Sequence, residues 1–571
     1  MSYFLKKSNL KKGVYLQIYE SYYDPVRKGG AHRSYMALGY VDALKEKGIE
    51  DPIAYYGEEV QRLNEAQKQE RHARKAETIT EQSPERLLGY FLLKSIHEGL
   101  GIKPLLDLLQ AREGYRFNVY QIMSALVYAR VVNPCSKLKT YDEVFPKMLE
   151  DTDFSLTQVY SALEYLGREY ERIIAIYSHQ VNEKYRYNTE HTYFDCTNFY
   201  FEIDREDDFR RKGPSKENRR EPIVGLGLLL DANQIPLGMK VYPGNASEKP
   251  VMREIIDNLK KHSNITGRTI QVADKGLNCA ENIVHALQAK DGYLFSKSVK
   301  TLPEVEKAWV LNPEGYREVK DSAGKMLYKI KSCVDEFPYK VRDAEGREVT
   351  VRLPEKRVVT FNPSLAEKQK YEIDREVEKA RKLQLSQAKR SEYGDCSRFV
   401  TFIPTDSKGK RKDDGKVKVI MNEEAIRKAK NLAGYNLLVT SELNLSDGQI
   451  YCAYHNLWRI EESFRVMKSF LDARPVFLQK RESIIGHFLI CYLSVLFLRL
   501  LQFKTLDNKF SSENIFAFMT DFRVAKISSR SFLNLTTKSN LTDALSCTFY
   551  LPVNKSILSL PDINKLLNHR F

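Results

Sequence analysis

The chain has 571 residues, enough for several domains and a large core. Lysine and arginine total 90 against 75 acidic residues, and the net charge of +15 favours a polyanionic partner. The 8 cysteines are scattered and none forms a C-x-x-C pair, so neither a zinc site nor a disulfide framework is indicated and a reducing compartment is expected.

Residues 1–82 begin with MSYFLKKSNLKKG, which lacks the apolar run of a signal peptide, and continue with β-like runs such as VYLQIYESYY broken by basic and glycine-rich turns. From Glu58 to Glu81 a charged stretch predicts an exposed helix or connector. Residues 83–190 carry helical periodicity in ERLLGYFLLKSIHEGLG, YQIMSALVYARVV and SLTQVYSALEYLGREYERIIAIYSHQV, two of these being separated by the breaker Asn133-Pro134. Such Arg- and Lys-bearing helices suit DNA contact, with a plain helical bundle as the alternative.

At residue 191 the texture changes. TYFDCTNFYFEI, PIVGLGLLLDANQ and IPLGMKVYPGN read as strands, KPVMREIIDNLKKHSN as a helix, RTIQVADKGLN as a strand, ENIVHALQAK as a helix and DGYLFSKSV as a strand. The order β-β-β-α-β-α-β over 191–300 is that of a ribonuclease-H-like mixed sheet with helices on its faces. Residues 301–433 are a surplus of β-like runs (KMLYKIKSCV, EVTVRLP, KRVVTFNP, SRFVTFIP, KVKVIMN) and two charged pieces, LAEKQKYEIDREVEKARKLQLSQAKR and TDSKGKRKDDGK. The core resumes over 434–505. Its apolar segment from Ile484 to Leu501 contains Gly486, His487 and Arg499, which predicts a buried helix rather than a membrane span. A small helical subdomain over 506–571 is expected to close the chain.

Ser446 and Gln449 have the spacing of a capping box, so a helix should start near Asp447. Ile450, Ala453, Leu457, Ile460, Phe464, Met467 and Leu471 then gather into one buried stripe at 100° per residue. Tyr454, Glu461 and Lys468 align along one flank of it, with Arg465 beside them. Glu462 points away and reads as a solvated charge, so Glu461 is the functional carboxylate of the two. In a ribonuclease-H-like sheet, Asp195 on the first strand and Asp274 at the end of the fourth lie side by side. Three carboxylates converging on one edge repel one another unless a cation is present. Asp195, Asp274 and Glu461 therefore point to a hard-metal site for Mg²⁺ or Mn²⁺.

These motifs together resemble the bacterial insertion-sequence transposases of the DDE type, in the branch marked by Y-x2-R-x3-E-x6-K around the third acidic residue. YFDCTN resembles the first-Asp motif, VADKGLN the second, and Tyr454, Glu461 and Lys468 fit the third. GPSKENRREPIVGLGLLLDANQIPLGMKVYPGN, which holds Lys216, and FLDARPVF followed by ESIIGHFLICYLSVLFL resemble the stretches around them. One departure stands out: the family's Arg is Leu457 here, and Arg465 is the residue placed to substitute.

The resemblance implies an α/β, ribonuclease-H-like core interrupted by a mostly β insertion domain and preceded by a helical region. It implies binding of terminal inverted repeats, cleavage of the ends by metal-dependent phosphodiester hydrolysis, and strand transfer of the 3′-hydroxyls to target DNA. Two divalent ions about 4 Å apart would be held by Asp195, Asp274 and Glu461. Tyr454, Arg465, Lys468 and Lys216 would contact DNA phosphates. Trp309 in the insert is a candidate to hold a flipped base, with a packed core tryptophan as the alternative. Cutting two ends in concert implies a dimer or higher assembly on double-stranded DNA, in the cytoplasm of a bacterium at its nucleoid, with no membrane partner. A ribonuclease-H-like nuclease without strand transfer, and a DNA-binding relic without catalysis, are the other two readings.

Overall fold

Apolar strand-length runs account for the central element of the protein, a nine-stranded mixed sheet. It is seen in a computed structural model that describes residues 2–24, 29–76, 84–217, 219–261, 267–342, 345–386, 390–403 and 418–571. In chain order its strands are β1 (His191–Tyr200), β2 (Ile223–Leu230), β3 (Pro236–Pro243), β4 (Ile270–Ala273), β5 (Gly292–Lys297), β6 (Arg317–Lys320), β7 (Met326–Arg342), β8 (Glu348–Phe361) and β9 (Tyr435–Thr440). Across the sheet they lie β6-β7-β8-β9-β5-β4-β1-β2-β3. The β1–β4 and β4–β5 pairs are parallel and all the others antiparallel. With helices Glu248–Lys261 and Ala280–Gln288 between them, β1 to β5 follow the order read from the sequence.

Both faces of the sheet are covered, as parallel strands require. Alternate residues separate the two cores. Tyr193, Phe199, Ile270, Val272 and Leu294 share one cluster with the helices Val119–Val132, Leu156–Arg168 and Arg481–Leu500. Phe194, Cys196, Ala273, Tyr293 and Phe295 belong to the other, with Val251, Ile255 and Ile283 from the two crossover helices. The Arg481–Leu500 helix is buried from Ser483 onward, and its apolar window is wholly enclosed by protein. Gly486 is explained by a close approach: a Cβ there would lie 2.1 Å from the Leu163 carbonyl oxygen, and one on Gly167 would lie 1.7 Å from that of Glu482. Only glycine lets these two helix backbones touch.

The segment 301–433 differs from a free-standing β insert. Its long strands β7 and β8 pair with each other and, through β9, extend the central sheet. EVTVRLP and KRVVTF are one strand, because Pro354 sits opposite Glu336 and the ladder continues past it. Glu355, wholly buried, accepts from Tyr293 Oη of β5 at 2.8 Å and pairs with Arg357 at 2.7 Å, which locks β8 to the sheet's centre. The first charged piece forms the helix Pro363–Leu385. The second, TDSKGKRKDDGK, lies outside the described residues.

Two expectations are corrected by pairing at long range. Glu85–Leu87, read as helical, is a strand against Arg523–Lys526, and the residues after 505 contribute three strands to that four-stranded sheet besides the helices Ser512–Asp521, Asn540–Phe549 and Leu560–Leu567. Neither partner strand is long enough to announce itself alone. The run SLTQVYSALEYLGREYERIIAIYSHQV is two helices, Leu156–Arg168 and Tyr170–Tyr185, broken at Glu169.

Contacts divide the chain into two compact units, Met1–Ser83 and Pro84–Phe571. In the first, strands Ser2–Leu10, Gly13–Asp24 and Gly29–Tyr40 pair antiparallel in chain order. Helix Pro52–Ala76 docks on them through Asn64, whose side chain accepts from the Tyr3 amide at 2.7 Å and donates to its carbonyl at 2.9 Å.

Candidate active site

The register of β1 and β4 places Phe194 opposite Ala273, so the next residues along the two parallel strands are Asp195 and Asp274. Asp195 has the parity of Tyr193 and Phe199, and Asp274 that of Ile270 and Val272, so both carboxylates rise on the face covered by the helical layer. Asp195 Oδ1 accepts from the Cys196 amide at 2.7 Å, and Asp274 Oδ1 from the Gly276 amide at 2.8 Å. Burial pushes the Asp195 carboxyl up to about 6, with Asp274 adding and Lys216 opposing.

The third segment begins as its sequence predicts, with a complete capping box between Ser446 and Gln449. Its helix then breaks. Asp447–His455 gives way at Asn456 and Leu457 to a tighter turn, with Leu457 N donating to Tyr454 O and Ile460 N to Leu457 O, before Trp458–Arg465 and a wide π-turn Val466–Phe470. Ile450, Ala453, Ile460, Phe464, Met467 and Leu471 are buried and Leu457 half-buried on the same core, so the stripe survives the break.

Glu461 is exposed. Glu462 corrects the expectation of a solvated charge: its Oε1 accepts from Ser512 Oγ at 2.8 Å and lies 3.4 Å from the guanidinium of the wholly buried Arg499. Tyr454, half-buried, feels all three acidic residues. Burial raises its phenol to about 12, and Asp274, Asp195 and Glu461 add to the rise.

The basic residues are engaged within the protein. Lys216 Nζ lies 3.3 Å from Asp195 Oδ1 and donates to the Cys196 carbonyl. Lys468 Nζ donates to Glu217 Oε1 at 2.8 Å and sits over the Phe199 ring, and Arg474 pairs with the other Glu217 oxygen. Arg465 is exposed, with Phe470 as its ring partner. Trp309 is half-buried; Lys331 lies over its ring at 5.0 Å and donates to its carbonyl at 2.6 Å. The other tryptophan, Trp458, is 57% exposed on the Glu461 helix. Glu217 and Arg474 carry no sequence signal beyond being charges near motifs. Only the fold brings them to Lys468.

The donor set at the sheet edge is carboxylate oxygen only, which suits a hard divalent cation. Asp195 and Asp274, adjacent and mutually repelling, fit such an ion as a pair. Among the described residues no three His, Cys, Asp or Glu side chains stand close enough to share one, so Glu461 is not within joint coordinating reach of the pair in this conformation. Next to Asp274 opens a cavity of about 240 Å³ lined by Lys275, Lys297, Lys300, Tyr328, Tyr451 and His455. The ammonium groups in its wall suit an anionic substrate.

The family profile described as Transposase DDE domain matches residues 188–497, from just before β1 through most of the Arg481–Leu500 helix. A search of curated proteins finds no match to the chain. The match takes in more than half of the 571 residues, and it spans both aspartates and the Glu461 helix. The chain therefore belongs to the transposase DDE domain family.

Proposed function

We propose that this transposase binds the inverted repeats of an insertion sequence, hydrolyses the phosphodiester at each end and joins the freed 3′-hydroxyls to target DNA. In this assignment β1 to β5 and the Glu461 helix are a ribonuclease-H-like core, and 301–433 is its insertion domain. The observation that carries it is the pair Asp195 and Asp274, side by side on parallel strands and projecting from one face beside a lysine-lined cavity.

Asp195, Asp274 and Glu461 would hold Mg²⁺, or Mn²⁺ in its place, which when bound supplies Lewis-acid activation of the attacking and departing oxygens. Glu461 joins the aspartates in the DNA-bound state. Tyr454 stays protonated at neutral pH and offers its hydroxyl as a donor to a phosphate oxygen. Lys468 and Arg474 bind backbone phosphate once Glu217 releases them, and Arg465 adds a contact from the exposed face. Lys216 neutralises Asp195 in the free protein and turns to the DNA in the complex. Trp309 packs against the core cluster on the crossover-helix face of the central sheet, and a flipped base there would stack on its open side. Two protomers assemble on a pair of ends.

The test is cleavage and joining of labelled DNA carrying the element's own ends, in Mg²⁺ or EDTA. Asp195→Asn, Asp274→Asn and Glu461→Gln should each lower both reactions by about 10³ or more, at DNA affinity close to wild type. A variant that cuts and joins normally removes that residue from the site. Cutting without joining on assembled ends leaves a nuclease.

A further inference from the structure

A second cavity, of about 390 Å³, lies between the end of the Val119–Val132 helix and the loop that follows the π-turn Val466–Phe470. Arg130, Lys137 and His487 line it, with Asp472, Tyr160 and Phe477. Arg130 and Lys137 are only 5% and 6% exposed, and among the described residues neither is paired with a carboxylate. Arg130 reaches the Leu471 carbonyl at 3.5 Å, and Lys137 Nζ lies 3.3 Å from His487 Nδ1.

The imidazole's own contacts fix its role. His487 Nε2 lies 3.1 Å from the Ala473 carbonyl, so that nitrogen carries the proton and Nδ1 accepts from the lysine ammonium. Burial, with Lys137 and Arg130 adding, holds His487 well below the usual histidine range, so it brings no charge of its own. Burial and Arg130 likewise depress Lys137. Two buried basic side chains thus face a cavity without a counter-ion, and the Lys137 ammonium is disfavoured there unless an anion enters. The one lining acid, Asp472, is exposed and bonds to neither.

The ligand's chemistry follows from the walls. Arginine and lysine side by side suit phosphate. Phe477, 69% exposed, and Tyr160 supply aromatic surface beside the charges, which a bare inorganic anion would not use but a sugar or base would. The same loop carries Arg474, which shares Glu217 with Lys468.

We propose that this cavity is a second nucleic-acid contact, in which Arg130 and Lys137 hold a backbone phosphate and Phe477 and Tyr160 pack the adjoining sugar or base. It rests on the DNA-acting reading above only for the source of the phosphate.

Cys135 lines the same cavity, half-buried and with a free thiol, and serves as the reporter. Its alkylation by iodoacetamide is followed by mass spectrometry against exposed Cys547, with duplex DNA, inorganic phosphate or polyglutamate present. Duplex DNA should slow Cys135 by about fivefold or more and leave Cys547 unchanged, while polyglutamate should not protect. Lys137→Gln and Arg130→Gln should abolish the protection and each lower the salt slope of DNA binding by about one. Phe477→Ser, at an exposed position, should cut protection severalfold without touching the core, which covers the case in which the buried variants do not fold. If the DNA shifts in a gel yet neither it nor phosphate protects Cys135, the site is overturned. Protection by phosphate but not by bound DNA overturns its assignment to nucleic acid. Protection by phosphate with no gel shift at all leaves the cavity standing as an anion site and removes the DNA-acting reading instead.

Discussion

Glu461 and Glu462 are neighbours with different surroundings. Glu462 is the partner of Arg499, whose guanidinium is wholly buried in the Arg481–Leu500 helix. Glu462→Ala should therefore cost about 3–5 kcal/mol, because Arg499 keeps Gln502 and Ser463 as hydrogen-bond partners but loses its counter-ion, whereas Glu461→Ala should stay within about 0.5 kcal/mol. Urea midpoints compare the two, and equal losses would show that the pair does not hold the helix. An angular count along one helix could not find this, because Arg499 and Ser512 come from elsewhere in the chain. His97 makes a second case. It is buried between Tyr128 Oη at 2.9 Å and Tyr177 Oη at 2.6 Å, and burial, with Lys94 adding, pushes it down to about 3. Its folded pKa lies below its unfolded one, so its share of stability is complete above about pH 6.5 and is lost as the pH falls toward 3. Between pH 7 and 5 that loss is about 2 kcal/mol, and His97→Gln should remove it from the pH dependence of the urea midpoint. If wild type and variant fall in parallel, His97 is not the acid-sensitive group.

The segment joining β1 to β2 brings two opposite charges to the candidate site in succession. Lys216 stands on Asp195, where a metal would bind, and Glu217 stands on Lys468 and Arg474, where phosphate would bind. Its charges mirror those of the expected ligands. Glu217→Gln should therefore free both cations, tighten binding to duplex DNA severalfold and steepen its salt slope by about one to two. Fluorescence anisotropy across a salt series reads both, and an unchanged slope would mean that Lys468 and Arg474 do not meet phosphate. The elements themselves were readable to different degrees. β1 to β5 announce themselves as apolar runs because each is buried on both faces. The strand Glu85–Leu87 does not, since three residues paired to a segment far along the chain leave no periodicity to detect.

The Pro84–Phe571 unit holds the sheet, both of its covering layers and every residue placed at the candidate site. Residues 84–571 alone should fold with the thermal midpoint of the full chain's main transition and retain metal-dependent DNA cleavage. Calorimetry and the cleavage assay test this together, and a fragment that aggregates or is inert would show that Met1–Ser83 completes the site. Local chemistry was sufficient for the order of strands and helices over 191–300 and for the capping box at Ser446, because apolar periodicity and turn residues are written in neighbouring positions. The merging of β7 and β8 into the central sheet, the roles of Glu462 and Glu217, and the buried basic side chains of Arg130 and Lys137 were settled only when distant segments met. Burial and ion pairing depend on what covers a side chain, and that belongs to the packed chain rather than to the side chain's neighbours in sequence.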